Sequence, residues 1–422
     1  MKTVLVRYLY VTGLTVILLM MMSSGAFALD FTGYARTYTG LLLHEENDYA
    51  VIQNTFDLKI EHSRSRVAMK INPYLYHNAE TDRDVNDELE LGLRQAYMDI
   101  YFDAFDLRLG KQQIIWGKAD GVFITDVISP KDLREFLLPD FEEIRIGVTA
   151  AKLNYYRGDQ TFELAWVPVF TPNQKPEQGS IWLRSPDFAI TPVMDDSRED
   201  VPARLENSEL FAKYSLLGSA IDLELMAGYA WDDDPTLHLT KTFDPESGQV
   251  TSLTLRPEHH RLALMGGSFS TTLGGFVLRG EGAYYSGKYF QSADPRLSES
   301  VQEKDYLHYL LGAEYTLRGV KLSAQFIQQA IIDYEDQIVN DQFENTLTLL
   351  AGKDFLRDTL HLELFAYLGL NDQDALLRPK IKYDLADGFQ IQAGANIFVG
   401  EKGNFGQYDD NDMLYAKVTY SF

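Results

Sequence analysis

From Phe31 to its last residue the sequence runs in stretches of about ten residues whose side chains alternate apolar and polar, as in strands with one face in oil and one in water. Ile221, Leu223, Leu225, Ala227, Tyr229 and Trp231 alternate with Asp222, Glu224, Met226 and Gly228, and Leu360, Leu362, Leu364, Ala366 and Leu368 alternate with His361, Glu363, Phe365 and Tyr367. An amphipathic helix would repeat its apolar residues three and four apart, and these do not. After the first segment the apolar runs are broken every few residues by Gly, Gln, Lys or Glu, which excludes spanning helices and leaves spanning strands.

The period predicts strands near 31–42, 49–61, 66–77, 91–102, 105–116, 144–156, 160–170, 205–216, 220–231, 259–271, 275–288, 304–317, 320–332, 342–354, 359–369, 375–385, 388–400 and 412–422, eighteen in all, with the count open by two around 250–272. Short turns such as Asp103-Ala104 and Arg318-Gly319 alternate with long links at 117–143, 171–204, 232–258 and 289–303. Short turns on one side and long loops on the other are the connections of a bacterial transmembrane barrel. The expected fold is therefore all-β, an antiparallel up-and-down transmembrane β-barrel over residues 29–422. Residues 1–28 read as a cleaved signal peptide: Lys2 and Arg7, an apolar run over 8–22, then Ala26-Phe27-Ala28. The last stretch, ending in Tyr420 and Phe422 on its apolar face, resembles the signal read by the outer-membrane barrel assembly machinery. Outer-membrane lipid and lipopolysaccharide are then expected neighbours, and homotrimers are compatible with such a barrel without being decided by the sequence. With only two residues between the cleavage site and the first strand, no N-terminal plug is expected.

Closure points each polar face inward, because a charge on the lipid face costs about 2–4 kcal/mol at the midplane. The expected lumen basics are Arg36, Lys59, Arg66, Lys70, Arg94, Arg108, Arg378, Lys380, Lys382 and Lys417, contributed by strands near the two chain ends, which adjoin in a closed sheet. The middle strands contribute Glu163, Glu209, Asp222, Glu224, Glu281, Glu314 and Glu363. Either a basic wall faces an acidic one across the lumen and orients polar solutes, or the charges pair in ladders that fill the interior; Asp57, Glu61 and Lys213, which break the segregation, keep the second reading level with the first.

The link at 117–143 holds Phe123, Ile124, Phe136, Leu137 and Leu138 among many charges, so it is expected to fold inward and narrow the pore. The residues around it carry a resemblance. Leu109-Gly110-Lys111-Gln112-Gln113, Trp116-Gly117-Lys118-Ala119-Asp120, Asp126, Pro130-Lys131-Asp132-Leu133-Arg134 and Arg145 look like the signature of an uncharacterised, DUF1302-like family of outer-membrane barrels. The resemblance is concentrated in residues 107–170. It implies a porin-like barrel without a substrate, and marks Trp116, Lys118, Asp120, Asp126, Lys131, Asp132, Arg134 and Arg145 as a constriction element or, equally, as anchors of the loop.

Other functions find less support. With 62 acidic against 38 basic residues, and two of the basic ones in the signal segment, duplex nucleic acid is a poor partner. The chain has no Cys, hence neither disulfides nor thiolate metal sites. The run Gly282 to Lys288 imitates a phosphate-binding loop, but Tyr289 follows where Ser or Thr is needed. His259-His260 and His361 with Glu363 lack a clustered third metal ligand, and no nucleophile motif suggests an enzyme. Acidic clusters at Asp82–Glu90, Asp195-Asp196, Asp232-Asp233-Asp234 and Asp409–Asp412 read as hydrated loops before cation sites. No cofactor and no metal are expected. The expected function is a passive outer-membrane channel for small polar or charged solutes; the alternative is the outer-membrane part of a polysaccharide exporter, with Arg378, Lys380 and Lys382 guiding a polyanion.

Overall fold

A computed structural model describes residues 29–43, 48–79, 88–184, 188, 190–247 and 249–422. Residues 1–28, expected to be a signal peptide, and most of the Asp82–Glu90 cluster lie outside the described residues. In chain order the strands are β1 (Asp30–Leu42), β2 (Tyr49–Arg64), β3 (Val67–Asn78), β4 (Glu88–Tyr101), β5 (Phe105–Gln112), β6 (Val148–Arg157), β7 (Gln160–Val167), β8 (Val193–Met194), β9 (Glu209–Leu217), β10 (Ile221–Trp231), β11 (Thr236–Phe243) and β12 (Val250–Glu258). They continue with β13 (Arg261–Leu273), β14 (Phe276–Gln291), β15 (Val301–Leu317), β16 (Val320–Ile331), β17 (Phe343–Phe355), β18 (Leu360–Gly369), β19 (Asp374–Ala386), β20 (Phe389–Val399) and β21 (Met413–Ser421).

Eighteen of these form one antiparallel sheet, and β21 closes it by pairing with β1, from Tyr34 opposite Ser421 to Leu42 opposite Met413. Closure removes the unpaired edges that a sheet could not expose to lipid. Every strand expected from the period is present. The register carries the alternation round the sheet: Leu225 and Met265 stand outward at 63% and 64% exposure, whereas Asp57 and Gln325 point inward at 1% and 3%. Among the described residues no helix is long and apolar enough to cross a membrane.

Two differences from the expected strands matter. The wall strand expected to reach residue 116 ends at Gln112, and its partner begins at Val148 rather than 144, because the chain between them pairs with itself, Lys131 opposite Arg145. The link is thus longer than 117–143 and includes Trp116. The stretch 232–258, read as a long link with the strand count left open by two around 250–272, contains the β11–β12 hairpin, which β8 joins in parallel as a second, three-stranded sheet. Its Leu237 and Leu239 alternate with Thr236, His238 and Thr240, so the period was there, but it builds a cover at the long-link end rather than more wall.

Candidate functional site

The link between β5 and β6 leaves the wall as a loop with a closed neck. Gln113 Nε2 donates to the carbonyls of Glu142 (2.8 Å) and Arg145 (2.6 Å), Ile114 N donates to Ser129 Oγ (2.9 Å), and Ile146 N donates to Pro130 O (2.7 Å). Inside the neck Arg145 Nε reaches Asp126 Oδ2 at 2.5 Å, and the Asp126 side chain is 1% exposed. Arg134 clasps Asp132 (2.7 Å) and Glu90 (3.1 Å), and Lys131 lies 3.8 Å from Asp233.

Beyond the neck the loop crosses the barrel interior and bonds to strands on both sides. On one side Trp116 Nε1 donates to Glu163, and Lys118 Nζ lies 3.1 Å from Glu224. Glu281 accepts from Lys118 N (3.0 Å), Thr125 N (2.7 Å) and Thr125 Oγ1 (2.7 Å), while Asp120 N donates to Gln325 Oε1 (3.2 Å), Gln325 Nε2 donates to Asp120 O (2.7 Å), and the Asp120 carboxylate lies 3.3 Å from Arg279. Between the two sides, on β18 next to β19, Tyr367 donates to Gly121 O (2.7 Å); Gly121 has φ +80°, and a Cβ there would sit 2.5 Å from Phe365 Cζ. On the other side Arg36 holds Glu143 at 2.9 Å, with Tyr34 also donating to it, and Lys417 lies 3.8 Å from Asp140. Gln53 donates to Glu135 (3.1 Å), and Arg378 Nη1 and Nη2 donate to the carbonyls of Leu137 (3.0 Å) and Leu138 (2.9 Å). Burial raises the Glu143 carboxyl, but the Arg36 and Arg94 guanidiniums and the Tyr34 bond outweigh it and hold the carboxyl below its usual range. At Glu135 burial prevails and the carboxyl is raised.

The loop is therefore charge-complementary to both walls: its Lys118 and backbone amides meet the acidic strands, and its Asp140 and Glu143 meet the basic ones. The remaining lumen charges pair locally. Arg94 binds Asp57 (2.9 Å), Arg108 binds Asp99 (2.7 Å), Lys70 binds Glu61 (2.9 Å) and Lys380 binds Glu363 (2.8 Å). Glu163 lies 3.6 Å from Lys152, Glu314 lies 3.2 Å from both Arg279 and Lys321, and Lys59 lies 3.7 Å from Glu142. Glu209 accepts from Trp231 N (3.0 Å), and Asp222 and Lys382 face the lumen by register, opposite Ser270 and His361.

Two expectations need correction. Arg66 sits at the turn after β2, exposed and bonded to Asp103 (2.9 Å), so it lies on the rim and not in the lumen. The Asp232–Asp234 run is not a hydrated loop: Asp232 binds Lys288 (2.6 Å), Asp233 faces Lys131, and Asp234 accepts from Asn173 (3.1 Å). His361 lies between Asp354 (2.6 Å) and Asp384 (3.3 Å), while His260 Nε2 meets His238 Nε2 at 2.9 Å; among the described residues no His, Cys, Asp or Glu group has metal-binding geometry. Glu143, which accepts from both Tyr34 and Arg36, was not singled out from the sequence, because its only local signal is Glu142-Glu143 in a short helix, Phe141–Ile144.

Two cavities flank the loop tip and share Tyr38, Leu138, Pro139 and Lys417 as a common wall. The first, about 140 Å³, is also lined by Arg36, Arg134 and Trp182; the second, about 270 Å³, by Phe365, Tyr367, Tyr415, Arg378 and Lys380.

Residues 53–422 match the family described as Protein of unknown function (DUF1302), well beyond the 107–170 signature. Among solved structures the chain is similar to OccAB3 of Acinetobacter baumannii (TM-score 0.54, 9% identity, covering 94% of this chain and 99% of that one). It is also similar to Pseudomonas aeruginosa OccK2 (OpdF) (0.54, 12%, 94% and 99%) and OccK5 (OpdH) (0.53, 10%, 93% and 98%). At such identities the likeness is one of fold. No curated protein matches the sequence.

Proposed function

Because the chain belongs to the family described as Protein of unknown function (DUF1302) and folds as an outer-membrane barrel, we propose that it is a porin-like channel through which small polar or charged solutes diffuse, with the loop between β5 and β6 as its constriction. The observation that carries this reading is the loop itself, bonded to opposite walls of a closed sheet and flanked by cavities of about 140 and 270 Å³. Such spaces suit small molecules. Trp116, Lys118, Asp120, Asp126, Lys131, Asp132, Arg134 and Arg145 position that constriction, and the lumen charges hold it and line what remains open. A loop pinned across the bore also argues against a polymer-exporting sleeve: Arg378 spends its donors on loop carbonyls and Lys380 is paired with Glu363, so neither is free to track a polyanion.

In this reading residues 1–28 export the chain, Tyr420 and Phe422 address it to the assembly machinery, and the outward apolar face contacts outer-membrane lipid and lipopolysaccharide. The test is conductance of the purified chain in planar bilayers. Discrete, ohmic steps are expected; a protein that inserts and yields no steps contradicts the proposal.

A further inference from the structure

On the lipid side of β17 to β21 the wall is dented. An open groove of about 670 Å³ runs across these strands, from Val320 and Lys353 at one end to Leu414 at the other. Its floor is made of small outward residues, Ala351, Pro379, Ala393 and Ala395, between the exposed Leu364, Ile381 and Leu414. β19 and β20 pair at Leu377–Ile397 and again at Lys380–Gly394; at Pro379, between them, the ladder has no donor and no long side chain fills the space. Lys353 stands near Phe355 at the short-turn end of β17, and Leu414 next to Met413 at the long-link end of β21, so the groove climbs obliquely from the periplasmic edge of the apolar belt.

The charge at the lower end of the groove is uncancelled. Lys380 and Glu363, whose strands it crosses, pair with each other at 2.8 Å on the lumen side, whereas Lys353 has the outward register of Leu362 and lies 5.1 Å from the Phe355 ring centre. A lysine at such an edge lays its methylenes on apolar surface and keeps its ammonium at the interface. Two arginines stand beside it: Arg318 in the turn from β15 to β16, close to Val320, which pairs with Lys353, and Arg357 in the turn after β17. Among the described residues none of the three has a carboxylate partner. Asp354 is bonded to His361 (2.6 Å), and the remaining acids at this end of β17 to β20, Asp358 and Asp387, are fewer than the cations.

A groove of this kind suits an occupant that is apolar along most of its length and anionic at the end that meets the periplasmic surface. We propose that it holds an anionic phospholipid of the periplasmic leaflet, with the phosphate on Lys353 between Arg318 and Arg357 and an acyl chain on the floor of small residues. Basic side chains at a membrane surface attract anionic headgroups in general, and the depression beside these three lets one lipid be held rather than merely gathered. The site lies outside the lumen, so it is independent of what the barrel conducts.

The experiment is native mass spectrometry of the full chain in detergent, titrated with dioleoyl phosphatidylglycerol or with dioleoyl phosphatidylcholine, which share their chains and differ in headgroup charge. The first phosphatidylglycerol is expected to bind about tenfold tighter than phosphatidylcholine, and Arg318→Gln, Lys353→Gln and Arg357→Gln together to abolish the difference. Ala351→Phe with Ala393→Phe, which fills the groove and leaves the charges, should weaken phosphatidylglycerol about fivefold. The two sets of substitutions act on separate halves of the site, so a barrel that fails to fold with one is tested with the other. Equal affinity for the two lipids, a preference that survives the loss of the three cations, or unchanged binding to the filled groove overturns the proposal. Displacement of the bound lipid by inorganic phosphate overturns it too, since the site would then hold an ion and not a lipid.

Discussion

Single side chains do two different jobs in this barrel. Outward ones need only be apolar, and many residues serve. Those on the loop each answer to a particular partner, which is why the residues that resembled a family signature are the bonded ones: Trp116 on Glu163, Lys118 on Glu224, Asp126 on Arg145. Arg145→Ala leaves Asp126 buried and without its cation, a loss of about 3–5 kcal/mol for a buried pair broken on one side. The sheet does not depend on that pair, so the expected outcome is faster tryptic cleavage at Lys118 and Lys131 with the barrel's strand spectrum intact. The Glu143 anchor responds to acid. Its carboxyl is held below the usual 4.5, so its contribution to loop docking is complete above that value and is lost as pH falls through the lower, folded value. Open-channel current should therefore be steady from neutral pH down to about 4.5 and become larger or noisier below it, and Glu143→Gln should show that behaviour at neutral pH.

At the scale of elements, the period of two located every wall strand because closure leaves each strand the same problem: lipid outside, water inside. The same rule makes the outward face sensitive to charge. Leu225→Arg on β10 places a cation in the belt, at a cost of about 2–4 kcal/mol near the midplane, and should lower the urea midpoint of folding into vesicles, whereas Asp222→Arg on the inward face of the same strand should change it little. Where the period misled, another interaction had prevailed. The expected strand runs on over residues 113–116 although Gln113-Ile114-Ile115-Trp116 breaks the alternation of β5; Ile114 and Trp116 are 2% exposed inside the barrel, bonded to the loop and to Glu163, where the chain has already left the wall. The hairpin of β11 and β12 has the same period without lipid to face, and only its pairing with β8 sets it apart. Nothing local in the sequence encodes Glu281 accepting from Lys118 and Thr125, partners more than 150 residues away, so the residues of the site were legible but their partners were not.

For the whole molecule, many of the segregated charges that sequence reading left as either a transverse field or filled ladders pair locally, as in the second reading, and others hold the loop. Acidic strands and basic strands do face each other, and the loop lies between them with its own charges reversed to match. The 270 Å³ cavity that remains beside the loop is lined by both signs of charge, Arg378, Lys380 and Lys417 with Asp120, Asp140 and Glu363.

The central claim is that the loop docks on one particular part of the wall, and the cysteine-free chain allows it to be tested by cross-linking. Thr125→Cys paired with Glu281→Cys on β14 should couple in high yield with a short bifunctional thiol reagent in the folded barrel, while Thr125→Cys paired with Thr55→Cys on β2, half-way round the sheet, should not. Equal yields for the two pairs, or coupling to Thr55→Cys alone, would contradict a loop held across the lumen as described.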